Sequence, residues 1–387
     1  MWYFVSPQIV FGEGALDALD DVRGARALLV TDVNVARVGL VDKVTVHLRK
    51  AGLAWRVFDA VEPDPSTETA LAGARVALEH EPDWIIAVGG GSVMDAAKAI
   101  WILYERPDLE PADINPMVDL NLRRKARLIT IPTTSGTGSE VTWAIVLTDT
   151  AEQRKMSLGN RENTADLAIV DPAMVMGMPP RLTADTGLDA LTHAIEGYTC
   201  TWHTDLTDGL CLDAARKIFA YLPRAVADGR DMEARERMHN AATVAGLGFG
   251  NSLASMAHAT GHALGAVFHI PHGRAVSLLL PYTIEYIAAE APERFADVAR
   301  LLGFGCDDDP EAARRLAAEI RRLCDVIGSP TSIAALGIDR ETFAARVTDL
   351  VERAFNDASL MTAARSPDYD ELQRIFEYAY DGTSIDF

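Results

Sequence analysis

The 387-residue chain has only four cysteines, Cys200, Cys211, Cys306 and Cys324, and no two of them form a CxxC pair. That excludes a disulfide-stapled scaffold and suits a reducing compartment. Lysine is also scarce. Six of the 36 basic residues are Lys and 30 are Arg, a bias read here as compositional. Basic residues together are outnumbered by 56 acidic ones, giving a formal charge of −20. A surface of that sign repels phosphate backbones and anionic lipid, which argues against nucleic acid and membranes as partners. No stretch approaches the roughly 18 uninterrupted apolar residues of a membrane span. The opening MWYFVSPQIVFGEG lacks a basic segment ahead of an apolar one, so no secretory leader is expected. There is no internal repeat or low-complexity tract. What is present is ordinary globular composition, 49% hydrophobic and 24% charged, in a length that suits two domains. A cytoplasmic protein is expected.

The first 180 residues alternate short β-branched runs with helical patterns. ALLVTD (27–32), WRVFDAVE (55–62), WIIAVGGG (84–91), ARLIT (126–130) and EVTWAIVLTD (140–149) read as strands. Helical stretches at 41–52, closed by Gly52, and at 67–80 separate the first three. Strands and helices of these lengths predict βαβ units and a largely parallel sheet. After MPPRLTA (178–184) Ala-rich segments of 3.6 periodicity dominate, predicting a helical bundle. The expected domains are residues 1–180, α/β, and 181–387, all-α.

Two loops in the first domain suit an anion. GGGSVMDAAKAI (89–100) follows an apolar strand and opens a helix, where glycines admit a close ligand and unpaired N–H groups favour negative charge. It is not the GxGxxG fingerprint, and a plain tight turn competes with phosphate binding. Ser92 with Asp95 is expected to make a capping pair. TTSGTGSE (133–140) has the hydroxyls and glycines to wrap a diphosphate, and both loops follow strand C-termini, where open α/β sheets bind ligands. Asp32 ends the first strand, where a carboxylate accepts from adenosine ribose hydroxyls; a turn or cap role competes equally.

Seven of the nine histidines, at 193, 203, 239, 258, 262, 269 and 272, fall between residues 193 and 272. Asp189 and His193 in GLDALTHAIEG share a helix face at i, i+4, and His258 and His262 in MAHATGHALG repeat that spacing. His272 follows at a turn. One such pair is ordinarily packing or capping, whereas two pairs and a turn histidine form a transition-metal constellation. Spacing does not choose four ligands from these five. Four protein ligands would close a structural zinc site, while Fe(II) accepts five or six and leaves room for a substrate oxygen, so chemistry leans toward iron. His47, His80, His203, His239 and His269 are expected to be surface or packing residues.

FGEGAL, GGGSVMDAAK, IPTTSGTGSEVT, DPAMVMGMPPRLTADTGLDALTHAIEGY and HATGHALGAVFHIPHG together resemble the iron-dependent (group III) alcohol dehydrogenase family over essentially the whole chain. The resemblance implies a Rossmann-like nucleotide domain, a helical domain of the dehydroquinate synthase-like kind, a site in the cleft, and a homodimer or higher oligomer. Carried over by motif, the metal ligands would be Asp189, His193, His258 and His272, with His262 an unligated histidine beside the nicotinamide. Nucleotide contacts would be Asp32, Gly90, Gly91, Ser92, Thr133, Thr134, Thr137, Thr142 and Lys155. Phe249 would line the substrate pocket as in the lactaldehyde reductase and propanediol oxidoreductase branch, with core packing as the competing role; Trp143 in EVTWAIV would narrow the same cavity if its side of the strand faces it. MTAARSP (361–367) and PDP (63–65) depart from the family's Asn-Pro-Arg and Pro-Asn-Pro, which touches substrate choice and fine cofactor contacts.

The expected activity is NAD-linked interconversion of a small alcohol and its aldehyde or ketone, with Fe(II), or Zn(II) in its place, activating the substrate oxygen and His262 passing the hydroxyl proton. A hydroxyacid–oxoacid transhydrogenase and a maleylacetate reductase are the nearer competitors. The dehydroquinate synthase branch needs a basic pocket, and the metal-half motifs carry few Lys or Arg. A non-catalytic metal- and nucleotide-binding protein is the rival from another class.

Overall fold

A computed structural model describes residues 3–151 and 154–387. The chain divides into two compact units, Met1–Gly177 and Met178–Phe387. In the first, strands β1 (Gln8–Phe11), β2 (Arg26–Val30), β3 (Ala54–Phe58), β4 (Trp84–Gly89), β5 (Arg127–Pro132) and β8 (Leu167–Val170) form one sheet in the order β1-β8-β5-β4-β2-β3. Every pairing in it is parallel. Helices α1 (Val33–Arg37), α2 (Leu40–Ala51), α3 (Thr67–His80) and α4 (Gly91–Glu105) make the connections. Period-2 alternation sends side chains to two cores. Leu28, Val30, Ile85 and Ala87 pack on one, and Ala27, Leu29, Ile86 and Val88 on the other. After β3 the chain returns to the opposite side of β2 to make β4, so the topological switch point lies between β2 and β4. Thr31 Oγ1 donates to Val88 O at 2.8 Å and ties these two strand ends together.

The stretch 140–149 departs from the parallel-sheet expectation. Its ordered strand β6 (Ala144–Asp149) pairs antiparallel with β7 (Arg154–Gly159) as a separate two-stranded sheet. Asp149 and Arg154 face each other only five positions apart, and a parallel partner needs a crossover of a dozen residues or more.

The second unit is helical: α5 (Pro180–Thr199), α6 (Asp205–Ala227), α7 (Met232–Ser252), α8 (Met256–Phe268), α9 (His272–Ala288), α10 (Glu293–Leu301), α11 (Asp309–Ile327), α12 (Arg340–Phe355) and α13 (Tyr369–Asp381). Pro180 occupies the first turn of α5, where its missing N–H costs nothing. Their apolar faces share one core. Among the described residues no helix is long and apolar enough to cross a membrane.

Candidate metal centre and nucleotide loops

Residues from three helices converge in the second unit. Asp189 and His193 lie one turn apart on α5, His258 lies in the first turn of α8, and His272 is the first residue of α9. One ligand atom from each lies within 4.8 Å of all the others. Asp189 Oδ1 is 3.8 Å from His193 Nε2 and 3.4 Å from His272 Nε2. His262 is outside this set, so the tertiary structure separates the five candidates into four and one.

Two features bring the helices this close. A Cβ on Gly273 would sit 2.3 Å from Asp185 O, and one on Gly261 would sit 2.6 Å from Val276 Cα. Side chains at either position would push α9 off α5 or α8. Arg274 then clamps α9 to α5 through Asp185: Nε donates to Oδ1 at 3.0 Å and Nη2 to Oδ2 at 2.5 Å. Such a bidentate pair fixes orientation as well as distance.

Asp189 is 1% exposed and Glu196 4%. Burial alone would raise the Asp189 carboxyl, yet the imidazoles of His193 and His272 hold it well below the usual carboxylate range. Glu196, which sequence reasoning passed over, serves His258. Its Oε2 accepts from His258 Nδ1 at 2.5 Å and from Ser255 N at 3.0 Å, and its Oε1 accepts from Ala257 N at 2.5 Å. Burial pulls the His258 imidazole down, but Glu196, together with the charges of Asp189 and Asp357, more than offsets it and the pKa lies above its ordinary value. With Nδ1 committed to Glu196, His258 presents Nε2 as its remaining ligand atom. His258 Nε2 and Asp189 Oδ1 are both buried without a hydrogen-bond partner among the described residues. Leaving such atoms unmatched is costly, and a cation between them removes the cost. One carboxylate and three imidazoles suit Fe(II) and Zn(II) equally by donor type.

His262 stands beside the cluster, its ring 5.2 Å from that of His272 and 5.7 Å from that of His258. Its Nδ1 bonds Asp357 Oδ2 at 2.8 Å, a partner 95 residues away that sequence reasoning also missed. Burial pushes the His262 imidazole below its ordinary value although Asp357 pulls the other way. Burial would raise Asp357, but the bond to His262 holds it at about 2. Phe249 stacks on His193 with ring centroids 3.9 Å apart and planes 8° from parallel. Glu196 had a legible signal, since 189, 193 and 196 share one face of α5. Asp357 had none.

The other histidines have local roles. His47 Nδ1 pairs with Asp20 Oδ1 at 2.8 Å, His203 lies 3.3 Å from Asp208, and His80 meets Ala27 O. His269 ends α8 in the left-handed conformation. His239 is buried.

In the first unit Asp32 follows β2, Gly90 and Gly91 follow β4, and Thr133 follows β5, three adjacent strands that flank the switch point. Asp32 is the N-cap of α1, its Oδ1 accepting from Asn34 N and Val35 N. The expected Ser92–Asp95 capping pair does not form. Gly90 is the N-cap of α4 and no side chain caps it, because the Asp95 carboxylate is taken by Ser139 Oγ at 2.7 Å and Val146 N at 2.9 Å. The glycines also serve the protein itself: a Cβ on Gly90 would meet Thr134 at 3.3 Å, and one on Gly91 would meet Thr137 at 2.8 Å. The two loops therefore pack backbone against threonine. Thr142 is buried, and Thr133 N donates to Gly89 O at 3.0 Å. Ser92 is half-buried in the first turn of α4. Lys155, on β7, pairs with Asp64 at 2.6 Å rather than with either loop. Trp143 precedes β6 half-buried, its ring over Gly159.

A doubly wound sheet with two small-residue loops at its switch point, in one chain with an Asp–His₃ cluster, has the makings of a metal- and dinucleotide-dependent enzyme. Residues 6–172 match the family model described as iron-containing alcohol dehydrogenase, and residues 183–380 the one described as Fe-containing alcohol dehydrogenase family, C-terminal. The chain therefore belongs to the iron-containing alcohol dehydrogenase family. It is 42% identical over 390 residues to the NADPH-dependent butanol dehydrogenase of Clostridium saccharobutylicum, with 100% of each chain covered. It is 35% identical to an aldehyde-alcohol dehydrogenase of Streptococcus pneumoniae, which matches 98% of this chain while the match spans 46% of that protein. The crystal structure of a 1,3-propanediol oxidoreductase superposes with a TM-score of 0.92 at 34% identity, covering 98% of this chain and 100% of that one. The chain is an enzyme of alcohol–aldehyde interconversion.

Proposed function

We propose that this enzyme interconverts a small alcohol and its aldehyde with NAD(H), and that Asp189, His193, His258 and His272 hold a divalent cation, Fe(II) in first place and Zn(II) in second. The observation that carries the reading is the convergence of buried Asp189, His193 and His258 with half-buried His272, the Asp189 Oδ1 and His258 Nε2 atoms being otherwise unmatched among the described residues. When bound, the cation supplies Lewis-acid polarisation of the substrate oxygen and the nicotinamide carries the hydride.

The chain's own residues supply orientation and proton handling. Glu196 holds the His258 ring in the tautomer that offers Nε2. Asp357 accepts from His262 Nδ1–H, which leaves the His262 Nε2 lone pair to take the hydroxyl proton during oxidation and to return it during reduction. Burial favours the neutral ring needed for that step. Phe249, stacked on His193, is a wall of the substrate space. Trp143 is assigned a lesser part in narrowing it.

The dinucleotide is assigned to Asp32, Gly90, Gly91, Ser92, Thr133, Thr134, Thr137, Thr142 and Lys155. The butanol dehydrogenase relative is NADPH-dependent. For this chain Asp32 favours NAD: capping α1 occupies one carboxylate oxygen and leaves the charge that repels a 2′-phosphate. The free thiols of Cys200, Cys211 and Cys324, all buried, suit a cytoplasmic enzyme. A homodimer or higher oligomer is supported by edge strand β1, which among the described residues pairs only with β8, and by exposed Tyr3, Phe4 and Phe11.

The test replaces His258 or His272 by Ala. Bound metal and turnover are lost in both variants, while NADH still binds because the loops belong to the other unit. Stoichiometric metal in both variants would sink the ligand assignment.

A further inference from the structure

Lys98 is a lysine with 0% exposure in the α/β unit, on α4 two turns beyond Gly91. Its ammonium reaches three acceptors on one segment of chain: Ser139 Oγ at 2.9 Å, Ala144 O at 2.9 Å and Thr142 Oγ1 at 3.5 Å. One turn earlier on the same helix, Asp95 accepts from Ser139 Oγ at 2.7 Å and from Val146 N at 2.9 Å, and lies 3.9 Å from the ammonium. Ser139 is thus held from both sides, accepting from a lysine and donating to a carboxylate. The held segment is the downstream end of the threonine loop, whose other end presses Thr134 and Thr137 against Gly90 and Gly91.

A fully buried lysine is uncommon, because losing hydration costs more than ordinary hydrogen bonds return. Burial brings this ammonium down to about 8, against the pull of Asp95 and Glu140. A cost of that kind is retained where the lysine determines a conformation. The acidic neighbours also offset its charge, so any contribution to anion binding comes through placement of the loop rather than direct attraction.

The geometry points to Lys98 and Asp95 as positioning residues for the dinucleotide: acting through Ser139, they pre-set the 133–142 loop in the shape that receives the diphosphate. Neither residue is a ligand contact, and both act through the loop. This rests on the assignment of a dinucleotide to these loops. A preformed loop removes an ordering cost that would otherwise be taken from the binding energy. Without the tether the cofactor must order 133–142 as it binds.

The test titrates the metal-loaded enzyme with NADH and with NADPH by fluorescence, and measures kcat, cofactor KM, metal content and melting temperature. The variants are Lys98→Met, Ser139→Ala and the double replacement. Lys98→Met is expected to weaken binding of the preferred cofactor about tenfold and Ser139→Ala at least threefold, with metal content unchanged and KM rising more than kcat falls. The double variant binds within twofold of Lys98→Met alone, because both changes cut one tether. A purely structural role would lower the melting temperature and leave the dissociation constant within threefold of wild type in Ser139→Ala, and that result overturns the proposal. Independent, multiplying effects in the double variant overturn it as well. If Lys98→Met does not fold, the threefold threshold in Ser139→Ala decides alone. Wild-type enzyme that binds neither cofactor would instead overturn the dinucleotide reading, and this inference with it.

Discussion

Glu196→Gln removes a charge from a carboxylate that accepts three hydrogen bonds, from His258 Nδ1, Ala257 N and Ser255 N. Glutamine has nearly the same shape but one acceptor oxygen, so its NH₂ must face at least one of these donors. Exchanging a charge-assisted bond for a neutral one costs about 1 kcal/mol, and one buried donor left unmatched adds about 1–3 kcal/mol. Part of that falls on the start of α8, where either Ala257 N, bonded to Oε1, or Ser255 N, bonded to Oε2, loses its acceptor, a loss comparable to that of a helix cap at about 1 kcal/mol. The part that falls on His258 frees its ring to rotate or change tautomer, so Nε2 no longer waits for the cation. Loss of such a supporting carboxylate typically weakens metal binding 10–100-fold. The assay titrates chelator-stripped protein with Co(II), follows its visible spectrum, and compares melting temperatures of the stripped wild type and variant. The expected outcome is metal affinity reduced at least tenfold with a modest fall in the stripped protein's melting temperature. Metal affinity within threefold of wild type beside a clearly lower melting temperature would refute the argument, since Glu196 would then only start the helix.

Three further outcomes follow from named contacts. Asp32→Gly is expected to narrow the preference for NAD over NADP, read as the ratio of kcat/KM values, at the cost of the α1 cap; equal values for the two cofactors in the unmutated enzyme would remove Asp32 from the site. Phe249→Ala is expected to raise kcat/KM for bulky alcohols relative to ethanol by about tenfold, at about 1–3 kcal/mol per pocket methylene. Loss of the ring stacked on His193 also loosens the metal by about 1 kcal/mol, and an unchanged substrate ranking with lost stability alone would return Phe249 to plain core. His239 is held by burial down to about 3. Between its unfolded value near 6.5 and that pH the unfolded chain binds one more proton, so stability falls as pH falls, by about 1.4 kcal/mol per unit from this group. Urea unfolding of stripped protein at pH 6.5 and 5 should therefore show about 2 kcal/mol less pH dependence in His239→Gln than in wild type, and identical slopes would contradict a neutral buried ring.

Much of this enzyme was legible in its sequence because the signals are local. β2, α2, α3 and β4 fall where residue patterns place them, since strand alternation, helix period and the left-handed Gly52 cap act over a few residues. Asp189 and His193 share a face of α5 by helical spacing alone, and the same spacing places Glu196 there. Strand C-termini carrying Asp32, GGG and TTSGTG were likewise visible one at a time. What spacing cannot report is which elements meet. EVTWAIVLTD reads as one more sheet strand, yet its partner is the segment just after it. Asp95 reads as a cap partner for Ser92, yet its acceptors serve Ser139 and Val146 about 50 residues away. The grouping of four of the five candidates depended on the close approach of α5, α8 and α9 allowed at Gly261 and Gly273 and locked by Arg274. His258 and His262 are one turn apart on α8, but one ring meets Glu196 on α5 and the other meets Asp357 beyond α12. Local spacing decides which residues share a face; only packing between distant helices decides what that face meets, and so which imidazole completes the cluster and which stands beside it bonded to Asp357.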